Sequence, residues 1–203
     1  MKTLNAQTRE IQRAVGVTAD GIYGPMTAAA IRAKLGLVDP SPEPITLSDV
    51  IDARTKKNLL TLEPKAQKIF AKFIPKAKAI AASMGCEYVA ISGTRGRDEQ
   101  NRLYAKGRTA PGNKVTNARY GYSNHNFGLA LDFGVFSGGK YLDSSDPSRA
   151  AAVHCAVAAI AEKHGIEWGG SWKRFKDLPH FEVKTSLTTA QKRQRLFAGK
   201  PIL

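Results

Sequence analysis

No stretch of this chain stays apolar for the roughly 20 residues that a bilayer-spanning helix needs. The opening residues, Met1 to Glu10, also lack the apolar core of a secretory leader. The expectation is a protein made in the cytoplasm, without integral membrane association, that stays there until something else releases it. Cysteine is scarce. Cys86 and Cys155 are too few for a disulfide framework and lack metal-ligand spacing, so both are read as small buried hydrophobes. Acidic residues are in deficit: 17 Asp and Glu stand against 31 Lys and Arg, giving a net charge of +14 and a pI near 9.9. Such a field concentrates polyanions and speeds encounter, but it does not choose among nucleic acid, lipid and cell wall. No recognised nucleic-acid motif is present, so nucleic acid is not an expected partner.

What is present suffices for one ordinary core with a small module attached: 203 residues, 42% of them hydrophobic. Pro40, Pro42 and Pro44 alternate with other residues and favour an extended connector. That break divides the chain into a helical module at 1–37, a linker at 38–48, a main domain at 49–190 and a basic tail at 191–203. The tail carries Lys192, Arg193, Arg195 and Lys200 and no acid. It either touches an anionic envelope surface or is merely solvated. Nothing demands more than a monomer.

In the module, residues 8–15 and 25–35 read as short helices. Ile11, Val15, Ala28, Ile31 and Leu35 are near helical spacing, and a turn runs from Asp20 to Pro25. In the main domain, Ile69, Phe70, Phe73, Ile74, Ala77, Ile80, Ala81 and Met84 form a helical stripe across 63–85, with a kink or break expected near Pro75. Residues 87–92 predict a strand, 98–106 a helix, and 130–136 a strand carrying Asp132 inward. Asp146 and Pro147 open a helix that Gly165 ends, and 166–168 and 181–183 predict two further strands. Helices interleaved with short strands argue for an α+β domain with a mainly antiparallel sheet and flanking helices.

The chemistry concentrates in two places. Ser123, His125, Gly128, Ala130 and Asp132 fall in one short stretch, and Asp177, His180 and Glu182 follow far downstream. Two imidazoles and a carboxylate could hold one zinc ion, leaving a fourth position to water. Asp177, three residues before His180, could reach that water, or could cap a turn. Glu182, two residues beyond His180 on a strand, points to the same side and suits support of that histidine. Arg95 leaves the strand at 87–92 either toward the site or toward Asp98 and Glu99. His154 and His164 are read as hydrogen-bonded structural histidines. Ser123 and Gly128 shape the loop around His125.

Ser92-Gly93-Thr94-Arg95, Glu99-Gln100, Leu103-Tyr104, Gly107 to Gly112, Val115-Thr116, the Ser123–Asp132 pattern and Pro179-His180-Phe181-Glu182 together resemble one family of zinc peptidases. It includes D-alanyl-D-alanine carboxypeptidases, vancomycin-resistance dipeptidases and phage L-alanyl-D-glutamate endopeptidases. The likeness spans about residues 86–184. The Gly107 to Gly112 segment and the aspartate before the last histidine are most similar to the endopeptidase branch, known mainly from phage endolysins. Separately, Ile11-Gln12, Val15-Gly16-Val17, Asp20 to Pro25 and Thr27 to Ile31 resemble a small helical peptidoglycan-binding module.

The resemblance implies one Zn²⁺ per chain on His125, Asp132 and His180. It further implies a catalytic carboxylate at Asp177 and a substrate-cleft arginine at Arg95. Ser123 is a candidate substrate contact, and Asp20, Gly21 and Tyr23 are candidate wall contacts that also serve the turn. The implied function is phage-type lysis by cleavage of the L-Ala–D-Glu bond in peptidoglycan, with access to the wall through a membrane lesion. The alternatives are a D-Ala-D-Ala carboxypeptidase, and a non-catalytic binding protein stapled by a structural zinc. The last would require four protein donors, commonly cysteine-rich.

Overall fold

The computed structural model describes residues 4–16, 19, 34 and 51–203. The chain divides into two units, Met1–Thr46 and Leu47–Leu203. In the first, helix α1 spans Leu4–Val15. It buries Thr8 and Gln12, one turn apart, while Ile11 is largely exposed, so a polar pair takes the covered face expected of the apolar residues. The second predicted helix, the connector at 38–48, and Asp20, Gly21 and Tyr23 lie outside the described residues, Lys34 excepted.

The second unit opens with α2, Ala53–Leu59, a helix that sequence periodicity did not predict. Its N-cap, Asp52, accepts from the Thr55 amide at 2.8 Å and the Thr55 hydroxyl at 2.7 Å, and from Lys78 Nζ at 2.8 Å. Helix α3, Pro64–Ser83, begins with Glu63 as cap and Pro64 in its first turn, and Pro75 lies inside it without ending it. Phe70, Phe73, Ile74, Ala77 and Ala81 are all fully buried on either side of that proline. Packing of this stripe compensates for the backbone hydrogen bond that proline cannot make.

Five strands follow: β1 (Glu87–Ser92), β2 (Ala130–Ser137), β3 (Lys140–Tyr141), β4 (Ile166–Trp168) and β5 (His180–Val183). All pair antiparallel in the order β1-β2-β5-β4, and β3 folds back on the end of β2. Gly138 and Gly139 have φ of 55° and 74°. A two-residue hairpin turn of that kind needs positive φ at both central positions, which glycine allows without strain. Between β1 and β2 lies α4, Arg97–Ala105. After β3 come a one-turn α5, Leu142–Ser145, and α6, Pro147–Ala161, which is capped by Asp146 and continues through a 3₁₀ turn to Gly165, as expected.

Strand alternation sorts the domain. Leu131, Phe133 and Val135 of β2, Tyr88 and Ala90 of β1, and Phe181 and Val183 of β5 join α3 and α6 in one buried cluster. Tyr88 stacks on Phe133 at 4.8 Å, and Phe73 lies 5.6 Å from Phe181. Asp132, at the intervening position, therefore faces the opposite side of the sheet and not the apolar core. His154 is fully buried between the Tyr88 hydroxyl (2.9 Å) and Asp143 (2.8 Å), and His164 bonds the Ile160 carbonyl. Both are structural. Cys86 is buried, but Cys155 is exposed.

The expected tail differs most. Helix α7, Thr189–Phe197, carries a capping box of Thr188 and Gln191, and Ile202 and Lys192 are buried. Arg193 stacks over Tyr122 at 4.4 Å, and Arg195 donates to the carbonyls of Pro201 and Ile202. The packing of these residues makes the segment part of the domain. Among the described residues, no helix is long and apolar enough to cross a membrane.

Burial opposes the charge of Asp52, but hydrogen bonds from Lys78 and Thr55 outweigh it and hold the carboxyl below its ordinary value of 3.8. A folded pKa below the unfolded one stabilises fully above the unfolded value and fades as pH falls through the folded one. Asp52→Ala should cost about 0.5–2 kcal/mol at neutral pH. In urea melts across pH, the difference from wild type should shrink below about pH 4.

Candidate metal centre and cleft

The sheet's outer face carries a row of residues set by register. Ser92 of β1 and His180 of β5 both pair with Asp132 of β2. Glu182 lies two residues beyond His180, so the alternation that buries Phe181 turns both His180 and Glu182 toward Asp132's side.

His125 arrives from a 3₁₀ turn, Asn124–Phe127, just before β2. Ser123 caps it, its hydroxyl accepting from the His125 amide at 3.3 Å. Gly128 closes the turn at φ 67°, and a Cβ there would lie 2.7 Å from the backbone nitrogen of Glu63. The crowding that requires glycine thus comes from the entry to α3 and not from the metal-ligand cluster.

The hydrogen bonds of the two imidazoles fix where their lone pairs point. His125 Nδ1 lies 2.8 Å from the Gly93 carbonyl, which can only accept, so Nδ1 carries the proton and Nε2 keeps its lone pair. His180 Nε2 lies 2.7 Å from Glu182 Oε2, so its N–H is there and Nδ1 is the free donor atom. These two nitrogens approach to 3.2 Å, and Asp132 Oδ1 lies 3.0 and 3.1 Å from them. Three electron-pair donors converge on one point, and such a cluster is stable only around a proton or a metal cation.

The titration behaviour agrees. Burial opposes the His180 cation, but bonds to Asp132 and Glu182 outweigh it and raise its pKa to about 9. Burial likewise opposes the Asp132 charge, yet the two histidines hold its carboxyl well below the usual range. His125, Asp132 and His180 form the cluster of potential metal ligands among the described residues. The donor set of two nitrogens and one oxygen suits zinc.

Arg95 turns to this site and not to Asp98 or Glu99. Its Nη2 donates to Asp132 Oδ2, its Nε to Ser92 Oγ at 3.1 Å, and its backbone N–H to the His125 carbonyl at 3.1 Å. Asp132 thus gives one oxygen to Arg95 and the other to the histidines. Asp177 stands just before β5, its backbone tied to Gly169 and His180. Asp177 lines a cleft of about 680 Å³, whose walls also include Trp172, Phe175, Val115, Lys114, Arg174 and Lys176. Desolvation and the Asp132 charge raise its pKa, against the pull of His180, His125 and Arg95. The Trp172 ring lies 5.0 Å from that of His180, so the cleft adjoins the cluster.

Sequence reasoning gave no role to Asn126 or Gln100, which hold this arrangement together. Asn126 Oδ1 accepts from the Gly121 and Ser123 amides at 3.0 and 3.3 Å, and its Nδ2 donates to the Arg95 carbonyl at 3.1 Å. Fully buried Gln100 donates to the Ala118 carbonyl at 2.6 Å. The available signal was Asn126 three residues after Ser123, the spacing of a capping box.

The profile of a family described as D-alanyl-D-alanine carboxypeptidase matches residues 116–183. That span holds His125, Asp132, Asp177 and His180 and begins after Arg95. The peptidoglycan L-alanyl-D-glutamate endopeptidase CwlK of Bacillus subtilis is 44% identical over 112 residues, covering 52% of this chain and 66% of that protein. The chain thus spans just under two thirds of that relative's length. The crystal structure of the L-Ala D-Glu endopeptidase ChiX of Serratia marcescens aligns with a TM-score of 0.45 at 24% identity, covering 69% of this chain and 95% of that one.

Asn126→Ala removes the partner of two amides and one carbonyl around His125. Chemical denaturation should register a loss of about 1–3 kcal/mol, and an unchanged midpoint would contradict the role given to this side chain.

Proposed function

With a domain of the D-alanyl-D-alanine carboxypeptidase family in its C-terminal unit, the chain has a peptidase framework, and we propose that it is a zinc endopeptidase cutting the L-Ala–D-Glu bond of peptidoglycan stem peptides. The observation that carries this reading is the convergence of His125 Nε2, Asp132 Oδ1 and His180 Nδ1 within 3.2 Å, with each imidazole's other nitrogen already bonded. The activity named for the Bacillus subtilis relative favours the endopeptidase over the carboxypeptidase branch.

In this reading His125, Asp132 and His180 hold one zinc. When bound, zinc supplies Lewis-acid polarisation of a carbonyl and lowers the pKa of water toward 7. Asp177 takes the proton from the attacking water and delivers it to the departing amine, a contribution of roughly 10²–10⁴-fold. Its raised pKa brings it nearer the working pH of such a group. Arg95 keeps Asp132 Oδ2 engaged and steadies negative charge on the substrate oxygen. Lys114, Arg174 and Lys176 along the cleft suit a substrate that carries carboxylates, as a D-Glu-containing peptide does. Residues 1–37 act as a wall-binding module, with Asp20, Gly21 and Tyr23 as its contacts. A tether of this kind raises the enzyme's effective concentration on an insoluble polymer. The role is that of a phage-type lysin, made in the host cytoplasm and acting on the wall after release.

Purified peptidoglycan treated with the protein should yield new D-Glu amino termini by mass spectrometry, lost with a chelator and restored by zinc. Release of D-Ala would move the protein to the carboxypeptidase branch. Asp177→Asn should lower kcat by roughly 10²–10⁴-fold while zinc still binds; wild-type kcat in that variant would remove Asp177 from the mechanism.

A further inference from the structure

Lys192 is only 7% exposed, although it lies on a strongly basic helix near the end of the chain. Burying an ammonium is costly unless it is paired, so its surroundings carry information. Its Nζ donates to Asn124 Oδ1 at 2.6 Å and lies 5.5 Å from the Phe127 ring, both in the 3₁₀ turn that carries His125. Asn124 opens that turn, immediately before His125. A direct hydrogen bond therefore ties α7 to the turn that carries His125.

We infer that Lys192 is a positioning residue. Through Asn124 it fixes the turn that carries His125, so that His125 Nε2 faces Asp132 and His180. The inference rests on the reading of these three residues as a metal centre. The same helix also packs over the loop leading into His125: Gly121 leaves room for Arg193 and Phe197, whose atoms would come within 3.1 and 3.2 Å of a Cβ there. The C-terminal helix thus reaches the His125 segment twice, by packing against Gly121 and by the hydrogen bond to Asn124.

Lys192→Met keeps the apolar stem on Phe127 and removes the donor, Lys192→Arg restores a cationic donor, and Lys200→Met removes an equal charge from an exposed position. Zinc affinity is read in the full-length protein by competition with a chromophoric chelator, alongside circular dichroism and kcat and KM on a soluble stem peptide. Lys192→Met should weaken zinc roughly 10–100-fold, the usual cost of losing an outer partner of a ligand, and lower kcat with KM little changed. Lys192→Arg should recover most of both, and Lys200→Met should match wild type. A folded Lys192→Met that binds zinc as wild type does would overturn the inference. If that variant fails to fold, Asn124→Ala removes the same hydrogen bond from the side of the turn and decides by the same criterion. Wild-type protein that binds no zinc would instead overturn the metal-centre reading, and this inference with it.

Discussion

Antiparallel pairing of Asp132 with His180 is the constraint on which the candidate site depends. A strand has two faces, and its neighbours commit one of them: Leu131, Phe133 and Phe181 enter the cluster beneath α3 and α6. Their burial fixes the register, because a slip of one residue would exchange every side chain between faces. Each such aromatic or aliphatic group contributes about 1.5–3 kcal/mol when removed from water. The hydrophobic core is thereby what holds His180 Nδ1 and Asp132 Oδ1 3.1 Å apart on the other side of the sheet.

The third donor is held differently. His125 lies on a short turn whose own hydrogen bonds would not order it, and its position is set by neighbours on all sides. Ser123 caps it, Asn126 ties it to Arg95, the Gly93 carbonyl orients its ring, and α7 covers it. A strand pair and an over-determined loop give the same result, an imidazole with one fixed tautomer. Such preorganisation means that a cation meets donors already aimed, without first having to order them.

Much of this was legible in the residues. The alternation in β2 and the Asp146–Pro147 opening of α6 follow from short-range pattern, whereas joining the distant His180 to His125 and Asp132 drew on the family resemblance. Glu182 beside His180 follows from strand period alone. What was not legible depended on long-range partners. Helix α2 is short and rich in Arg54, Lys56 and Lys57, and its stability derives from Asp52 and from Lys78, far along the chain. Pro75 normally interrupts a helix, and only the burial of Phe73 and Ile74 beside it explains why α3 continues. Residues 191–203 read as a basic tail, either touching an anionic surface or merely solvated, because composition records charge and not direction. Lys192 is inward because Asn124, 68 residues earlier, accepts its proton.

The most direct test of the central claim is zinc K-edge X-ray absorption on the loaded full-length protein. The account predicts one zinc per chain with two imidazole nitrogens and oxygen donors completing a four-coordinate shell, and loss of one imidazole in His180→Ala. A shell containing sulfur, or one unchanged by that substitution, would contradict a metal centre built on His125, Asp132 and His180.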